Sequence, residues 1–299
     1  MFDCLTDCRE VAETINQAEM KVSIYIGRTG LEKDERIVNL ARELEDAGWC
    51  VSFMGECGEL PEDSDMLLSV GGDGTFLSAS HIAAARGIPV AGVNLGRLGF
   101  LSENRPEDLG KALLSGDYTI EDRTLLKAVL SSGSDCEYRE EVLALNEVTV
   151  HRSGAAMLGV DVTIDGFVLP TYWADGLVIS TSSGSTAYSL SVGGPIALPE
   201  TKVLIISPIA PHNLNVRPLV VPDTAKVGLV MDSRDLKYTF TADNRTFPVS
   251  SDVRVAVSMA QFSLKRVRLK NSDFINALTE KLFWGEDVRN TKYHKTYGK

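Results

Sequence analysis

Gly71-Gly72-Asp73-Gly74-Thr75 sets a carboxylate among three glycines, directly after the apolar run Met66–Val70 and directly before the helical pattern of Phe76-Leu77-Ser78-Ala79. Glycine permits positive φ and a close approach to a ligand, and the free N–H groups at a helix start attract anions. Gly71, Gly72, Gly74 and Thr75 are therefore expected to cradle phosphate, with the helix opening at Thr75. A carboxylate beside phosphate is repelled unless it holds a metal or a hydroxyl, which makes Asp73 the candidate catalytic group. The competing reading is an ordinary strand-to-helix turn. The spacing matches neither Gly-x-x-x-x-Gly-Lys-Ser/Thr nor Gly-x-Gly-x-x-Gly, so a P-loop enzyme and a dinucleotide dehydrogenase lose support.

Two further clusters could bind a nucleotide. Asn146-Glu147 interrupts the apolar stretch Val142–Val150. Strand alternation accounts for one polar residue there, whereas an adjacent amide and carboxylate at a strand end can grip the two hydroxyls of a ribose, with Glu147 accepting both protons. Ser180–Ser191 is crowded with hydroxyls, and a helix is expected to start near Ser185. Helix capping uses some of these hydroxyls. The rest, with Tyr188 as a flat stacking surface, suit the polar edges and base of a nucleotide.

The elements that must position these groups change character along the chain. Strand-like Lys21–Ile26, helix-patterned Ile37, Leu40, Ala41 and Leu44, and extended Trp49–Met54 precede the glycine loop; Ile88–Val93 and Pro106–Leu114 follow as strand and helix. Alternating strands and helices predict an open, mostly parallel, doubly wound α/β sheet over 21–117, with ligands at the carboxyl ends of its strands. From residue 118 to 271 the pattern is β-rich, with an Asp165-Gly166 hairpin turn and a second turn at Ser132-Gly133. Residues 272–299, with Phe274, Leu278 and Leu282 at helical spacing before Trp284-Gly285, are expected to pack back on the first domain. Residues 1–20 are read as an extension dispensable for catalysis, with Met20 as an alternative start.

With 299 residues, 44% hydrophobic and 24% charged, the chain is globular and long enough for two cores. A net charge of −11 argues against nucleic-acid and anionic-membrane partners. No apolar run approaches the roughly 18 residues of a membrane helix. Cys4, Cys8, Cys50, Cys57 and Cys136 include no Cys-x-x-Cys pair, so a cytoplasmic protein without zinc or disulfides is expected. His81, His151, His212 and His294 are scattered and read as structural, with His212 in a Pro-rich stretch the one to watch.

In order along the chain, Gly71-Gly72-Asp73-Gly74-Thr75, Asn94-Leu95-Gly96-Arg97-Leu98-Gly99-Phe100-Leu101, Asn146-Glu147, Asp175-Gly176, Gly184-Ser185-Thr186-Ala187-Tyr188 with Gly193-Gly194-Pro195, and Arg217-Pro218 resemble the NAD kinase family over residues 21 to 285. The resemblance implies transfer of the γ-phosphoryl of ATP, or polyphosphate in some members, to the 2′-hydroxyl of the adenosine ribose of NAD. It implies that Asp73 orients or deprotonates that hydroxyl and that Gly74, Asn146 and Glu147 lie on NAD. Asp175, Thr186, Ala187, Tyr188 and Ser191 would surround the dinucleotide, in a homodimer or homotetramer. Two departures stand out. Thr181-Ser182-Ser183 replaces the family's Thr-Pro-Thr, an expectation of a less rigid loop, and Asp243-Asn244-Arg245 replaces Asp-Gly-Gln, which leaves that turn without an expected role.

Elementary chemistry agrees. In phosphoryl transfer through a loose transition state a carboxylate can aim the hydroxyl and take its proton late. With no Walker lysine, Mg²⁺ or another divalent cation with ATP, together with backbone amides, must neutralise the phosphoryl charge; no metal ligand is assigned. A diacylglycerol or sphingoid lipid kinase would want an apolar acceptor groove rather than Asn146-Glu147. A non-catalytic dinucleotide sensor could dispense with Asp73.

Overall fold

The structure, a computed structural model, describes residues 20–56, 58–96, 99–132, 138–270 and 274–282. The expectations for residues 1–19, Arg97-Leu98, the turn after Ser132, Trp284-Gly285, His294 and four of the cysteines lie outside the described residues. Cys50 is a free, exposed thiol.

The first elements are β1 (Lys21–Ile26), α1 (Glu35–Asp46), β2 (Cys50–Gly55), β3 (Met66–Val70), α2 (Asp73–Arg86), β4 (Val90–Val93), α3 (Pro106–Ser115) and β5 (Tyr118–Arg123). Every residue of β3 and β4 is buried, as a parallel strand covered on both faces requires. Asp34 caps α1 by accepting from the Arg36 N–H, and the periodic Ile37, Leu40, Ala41 and Leu44 turn inward. α1 and α3 share one core with the sheet, whereas α2 buries Phe76, Ala79 and Ala83 in another. The strands run parallel in the order β2-β1-β3-β4. The chain thus winds outward from β1 in one direction and from β3 in the other. The carboxyl ends of β1 and β3 form the switch point, where such sheets open a crevice.

The rest comprises β6 (Leu126–Ser132), β7 (Tyr138–Ala144), β8 (Glu147–Arg152), β9 (Leu158–Ile164), β10 (Phe167–Val168), β11 (Tyr172–Ala174), β12 (Gly176–Thr181), α4 (Tyr188–Ser191), β13 (Val203–Ile209), β14 (Leu219–Pro222), β15 (Val227–Asp232), β16 (Lys237–Ala242), β17 (Arg245–Ser250), β18 (Arg254–Met259), β19 (Leu264–Leu269) and α5 (Phe274–Leu282). Two antiparallel sheets, ordered β10-β9-β15-β18-β6-β7 and β14-β13-β12-β8-β16-β17, enclose one core that includes Leu126, Val160, Leu177, Phe240 and Val255. Asp165 (φ 50°) and Gly166 (φ 85°) form the expected tight turn between β9 and β10.

Several local expectations are corrected. The first intrahelical bond of α2 runs from Phe76 N–H to Gly72 O, so the helix opens at Asp73, not Thr75. The stretch Val142–Val150 is not one strand. It breaks at Leu145-Asn146, where the chain crosses from one antiparallel sheet to the other, and Leu145 enters the core beneath α2. The expected helix near Ser185 is a 3-10 turn over Ser183–Thr186 followed by the single turn α4. β17 carries Pro248, which hid it as a strand; it lies at a sheet edge, where a missing N–H is tolerated. Finally β5 and β19, at the two ends of the 118–271 stretch, extend the first sheet as β4-β19-β5. Leu264 and Val267 of β19 join the cores on its two faces, and the added strands cover an otherwise open edge at β4.

Candidate functional site

At the switch point, Gly71 has φ 154°, and a Cβ there would lie 2.3 Å from Thr75 Oγ1. A Cβ on Gly27, at the end of β1, would lie 2.3 Å from the same side chain. The glycines thus let Thr75 close the junction between β1, β3 and α2. Gly71 does not offer its N–H to a ligand, because it donates to Val93 O at 2.9 Å. The anion-attracting amides are those of the first turn of α2, at Asp73, Gly74 and Thr75. An open cleft of about 700 Å³, lined by Gly27, Arg28, Thr29, Glu32 and Phe53 among others, adjoins this loop at the ends of β1 and β2.

Asp73 is not a bare carboxylate. Oδ1 accepts from the N–H groups of Leu101 (3.0 Å) and Ser102 (2.8 Å), and Oδ2 accepts from Phe100 (2.9 Å). A Cβ on Gly99 would fall 1.9 Å from Oδ1, which is why this loop carries glycine. Asn94 shapes the same loop: its Nδ2 donates to Ser102 O at 3.1 Å and its Oδ1 accepts from Gly96 N–H at 2.8 Å. A carboxylate has about four acceptor sites. Three are taken, and the remaining one on Oδ2 can receive a hydroxyl.

Asn146 and Glu147 are buried, and Asn146 Oδ1 and Glu147 Oε2 have no protein partner. Buried polar atoms are normally satisfied, so these two mark a place for ligand or water. Burial and then the nearby Asp243 carboxylate push the Glu147 carboxyl up to about 8 from an ordinary 4.5, opposed by a backbone hydrogen bond from Tyr188. Asp243 is the functional residue that sequence reasoning missed. Its side chain is fully buried and accepts from the N–H groups of Leu145 and Asn146 at 2.8 Å and Glu147 at 3.3 Å. Its φ of 53° fits the two-residue turn with Asn244 between β16 and β17. Asp-Asn between two strand-like runs was the available signal; the target lies 98 residues away.

The same turn joins the two halves of the site. Asn244 Nδ2 donates to Ser78 Oγ at 3.0 Å and to Gly74 O at 3.4 Å, and His81 Nε2 of α2 lies 3.2 Å from Asp243 Oδ2. These contacts tie the glycine loop and α2 to the turn that holds the backbone of Asn146 and Glu147. Gly184 packs its Cα against Asn146, where a Cβ would meet the Asn146 carbonyl oxygen at 2.1 Å. That contact brings Thr186, Ala187 and Tyr188 alongside Glu147, with Tyr188 37% exposed and its ring available to a ligand.

Most of the hydroxyls nearby are structural, contrary to expectation. Thr181 Oγ1 donates to Leu145 O, Ser182 Oγ to Pro199 O, and Ser185 Oγ to Ala197 O. Ser189 Oγ meets Ser207 Oγ. Ser182 has φ −58°, a value proline would impose, and its hydroxyl anchors the loop where the ring is missing. Ser191 is exposed on α4. Asp175 is not brought to this cluster: it is bound to Arg152 Nε at 2.6 Å, and β8 pairs with β12 so that Gly176 sits opposite His151 and Ser180 opposite Glu147. His212 is exposed near that far end, its N–H on Trp173 O, and Arg217 braces its own loop through Leu214 O and Val216 O.

A doubly wound sheet with a carboxylate and helix start at its switch point, closed by a β-sandwich that supplies a second polar patch, defines a two-part nucleotide-binding architecture. Residues 32–115 match the ATP-NAD kinase N-terminal domain and residues 145–269 match the ATP-NAD kinase C-terminal domain. The chain belongs to the ATP-NAD kinase family. It is 42% identical over 236 residues to the NAD kinase of Flavobacterium psychrophilum, covering 78% of this chain and 80% of that one. It is 40% identical over 291 residues to that of Porphyromonas gingivalis, covering 90% and 99%. Among solved structures, an NAD kinase from Archaeoglobus fulgidus in complex with ATP superposes with a TM-score of 0.70 at 27% identity, covering 88% of this chain and 99% of that one. A yeast NADH kinase complexed with NADH shares the fold, with a TM-score of 0.79, 22% identity and coverage of 93% and 91%.

Proposed function

We propose that this chain is an NAD kinase that transfers the γ-phosphoryl of ATP to the 2′-hydroxyl of the adenosine ribose of NAD. The observation that carries this reading is the Asp73 carboxylate, held with one acceptor site open at the start of α2 and joined through Asn244 and Asp243 to the unsatisfied Asn146 and Glu147. Asp73 aims the hydroxyl and takes its proton late, while N–H groups of Gly74 and Thr75 meet the phosphates. ATP enters from the cleft beside Gly27. Asn146 and Glu147 hold a ribose, and Thr186, Ala187, Tyr188 and Ser191 line the dinucleotide.

Among the described residues no three His, Cys, Asp or Glu side chains converge as a cation cage. Mg²⁺ commonly binds through substrate phosphates, waters and one or two carboxylates, and in this proposal it arrives with ATP. Its chemistry would be charge neutralisation on the phosphates. Incubating purified protein with ATP, Mg²⁺ and NAD should yield NADP; phosphorylated diacylglycerol or sphingoid base in place of NADP would overturn the assignment.

We further propose a homodimer or homotetramer, supported by the exposed apolar side chains Phe167 (78%), Val168 (76%) and Trp173 (42%) on the short strands β10 and β11 that edge β9. Asp175, remote from Glu147 within the chain, follows β11 two residues beyond Trp173. The domain division proposed is 21–117 with β5 and β19 added, the intervening β-sandwich, and a carboxyl-terminal segment whose helix α5 meets the first domain at Gly99 and Phe100. No helix among the described residues is long and apolar enough to cross a membrane; a cytoplasmic location is proposed from the cysteine usage of the sequence.

Residues 1–19 are proposed to be accessory. Met20 is only 2% exposed and its carbonyl accepts from Cys50 N–H, so a chain starting at Met20 keeps the first strand's anchor. Such a chain should match the full chain in NADP formation and melting temperature, with mass in solution reporting any effect on assembly. An inactive or unfolded product would place the domain boundary upstream.

A further inference from the structure

The peptide units that hold Asp73 each meet a cation at their other end. Phe100 N–H donates to Asp73 Oδ2, and the carbonyl of the same unit, Gly99 O, accepts from Lys281 Nζ. Leu101 N–H donates to Asp73 Oδ1, and the carbonyl of its unit, Phe100 O, accepts from Arg266 Nη2 at 3.3 Å. Ser102 N–H donates to Oδ1 likewise, and Leu101 O accepts from the same Nη2 at 3.4 Å. In a trans peptide the N–H and C=O point in opposite directions, so both cations stand behind the loop, on the side away from Asp73.

Arg266 comes from β19 and is 5% exposed; Glu103 Oε1, 2.7 Å from Nη2, fixes its head. Lys281 comes from α5, and its Nζ also lies 4.6 Å from the centre of the Phe100 ring. A positive charge at the oxygen end of a peptide dipole polarises the unit and strengthens the donor at its other end. Three such units converge on one carboxylate.

We infer that Arg266 and Lys281 are positioning residues for the reaction. They hold the Asp73 carboxylate, and with it the acceptor hydroxyl, through the backbone of residues 99–102. This rests on the reading of Asp73 given above and extends it to β19 and α5, whose Arg266 and Lys281 reach Asp73 through that loop. It also gives these late elements a reason to return to the first sheet: they back the loop that its catalytic carboxylate grips.

The test uses the full chain with Arg266→Gln, Arg266→Lys and Lys281→Met, each also combined with Asp73→Asn. Steady-state NADP formation and melting temperature are measured throughout. A misplacement of the order of 1 Å at a reacting group is worth up to about 10²-fold. Arg266→Gln should therefore lower kcat by about 10- to 10²-fold and Lys281→Met by several-fold, with KM for NAD and ATP little changed and partial recovery in Arg266→Lys. Combined with Asp73→Asn, the same changes should have almost no further effect on kcat, since the group they act on is gone. Equal losses with and without Asp73→Asn would overturn the inference, as would a kcat indifferent to Lys281→Met. Should Arg266→Gln fail to fold, Lys281→Met carries the same cycle. Absence of NADP from the unaltered chain, or an Asp73→Asn variant as fast as the parent, would instead defeat the underlying reading, so the two failures are distinguishable.

Discussion

Asp73→Asn is expected to lower kcat for NADP formation by roughly 10² or more, the usual scale for a positioned general base. The substituted amide keeps one oxygen for the N–H groups of Leu101 and Ser102, but its NH₂ cannot accept from Phe100 or from a substrate hydroxyl. The Phe100 N–H then loses its acceptor, which costs about 1 to 3 kcal/mol if water does not replace it. Melting temperature should fall accordingly, while calorimetric affinities for NAD and ATP are expected to stay within a few-fold, since the proposed role of Asp73 is on the reacting hydroxyl. A kcat equal to that of the parent would remove Asp73 from the chemistry and leave it a loop anchor.

Glu147→Gln should act on binding, in a pH-dependent way. The unliganded carboxyl holds its proton up to about pH 8, and the neutral acid accepts hydrogen bonds from the ribose hydroxyls more weakly than the carboxylate, with one oxygen occupied as a donor. Ionisation strengthens that acceptance. A charge-assisted hydrogen bond is worth about 1.5 to 3 kcal/mol, so a unit above this pKa the KM for NAD should rise roughly 10- to 10²-fold in the variant. A unit below it the two proteins should converge, since glutamine resembles the neutral acid. Indifference of KM at both values would return Glu147 to a purely structural part. Stability provides an independent check. The folded carboxyl titrates near 8 and the unfolded one near 4.5, so between these limits the folded state binds a proton that the unfolded state has released. The wild-type chain should therefore lose stability as pH rises through that window, whereas Glu147→Gln should not show this loss.

The alternation of strands and helices before residue 118, the β-rich run after it and the candidate carboxylates were legible in the sequence, because each rests on local periodicity or on residue types adjacent in the chain. Asn146 and Glu147 stood out for the same reason: two polar residues cannot both hide in an apolar strand. What their side chains face was not legible. The three amides on Asp73 come from residues 27 to 29 positions away, and those that Asp243 gathers come from 96 to 98 positions away. A hydrogen bond of that span leaves no period in the sequence. Nor could hydroxyls spent on backbone carbonyls be told from hydroxyls open to a ligand, since serine serves both purposes with the same atom.

The sequence by itself thus determined the element types, the class of fold and the chemical groups on offer. Only the tertiary structure decided that Asp73 is gripped by the 99–102 loop, that Asp243 and Asn244 tie the two polar patches together, that Asp175 stands apart with Arg152, and that β5 and β19 complete the first sheet. Side-chain periodicity is set by each residue's neighbours along the chain. Sheet pairing and the meeting of loops are set by which distant surfaces must be buried together, and that depends on the whole fold at once.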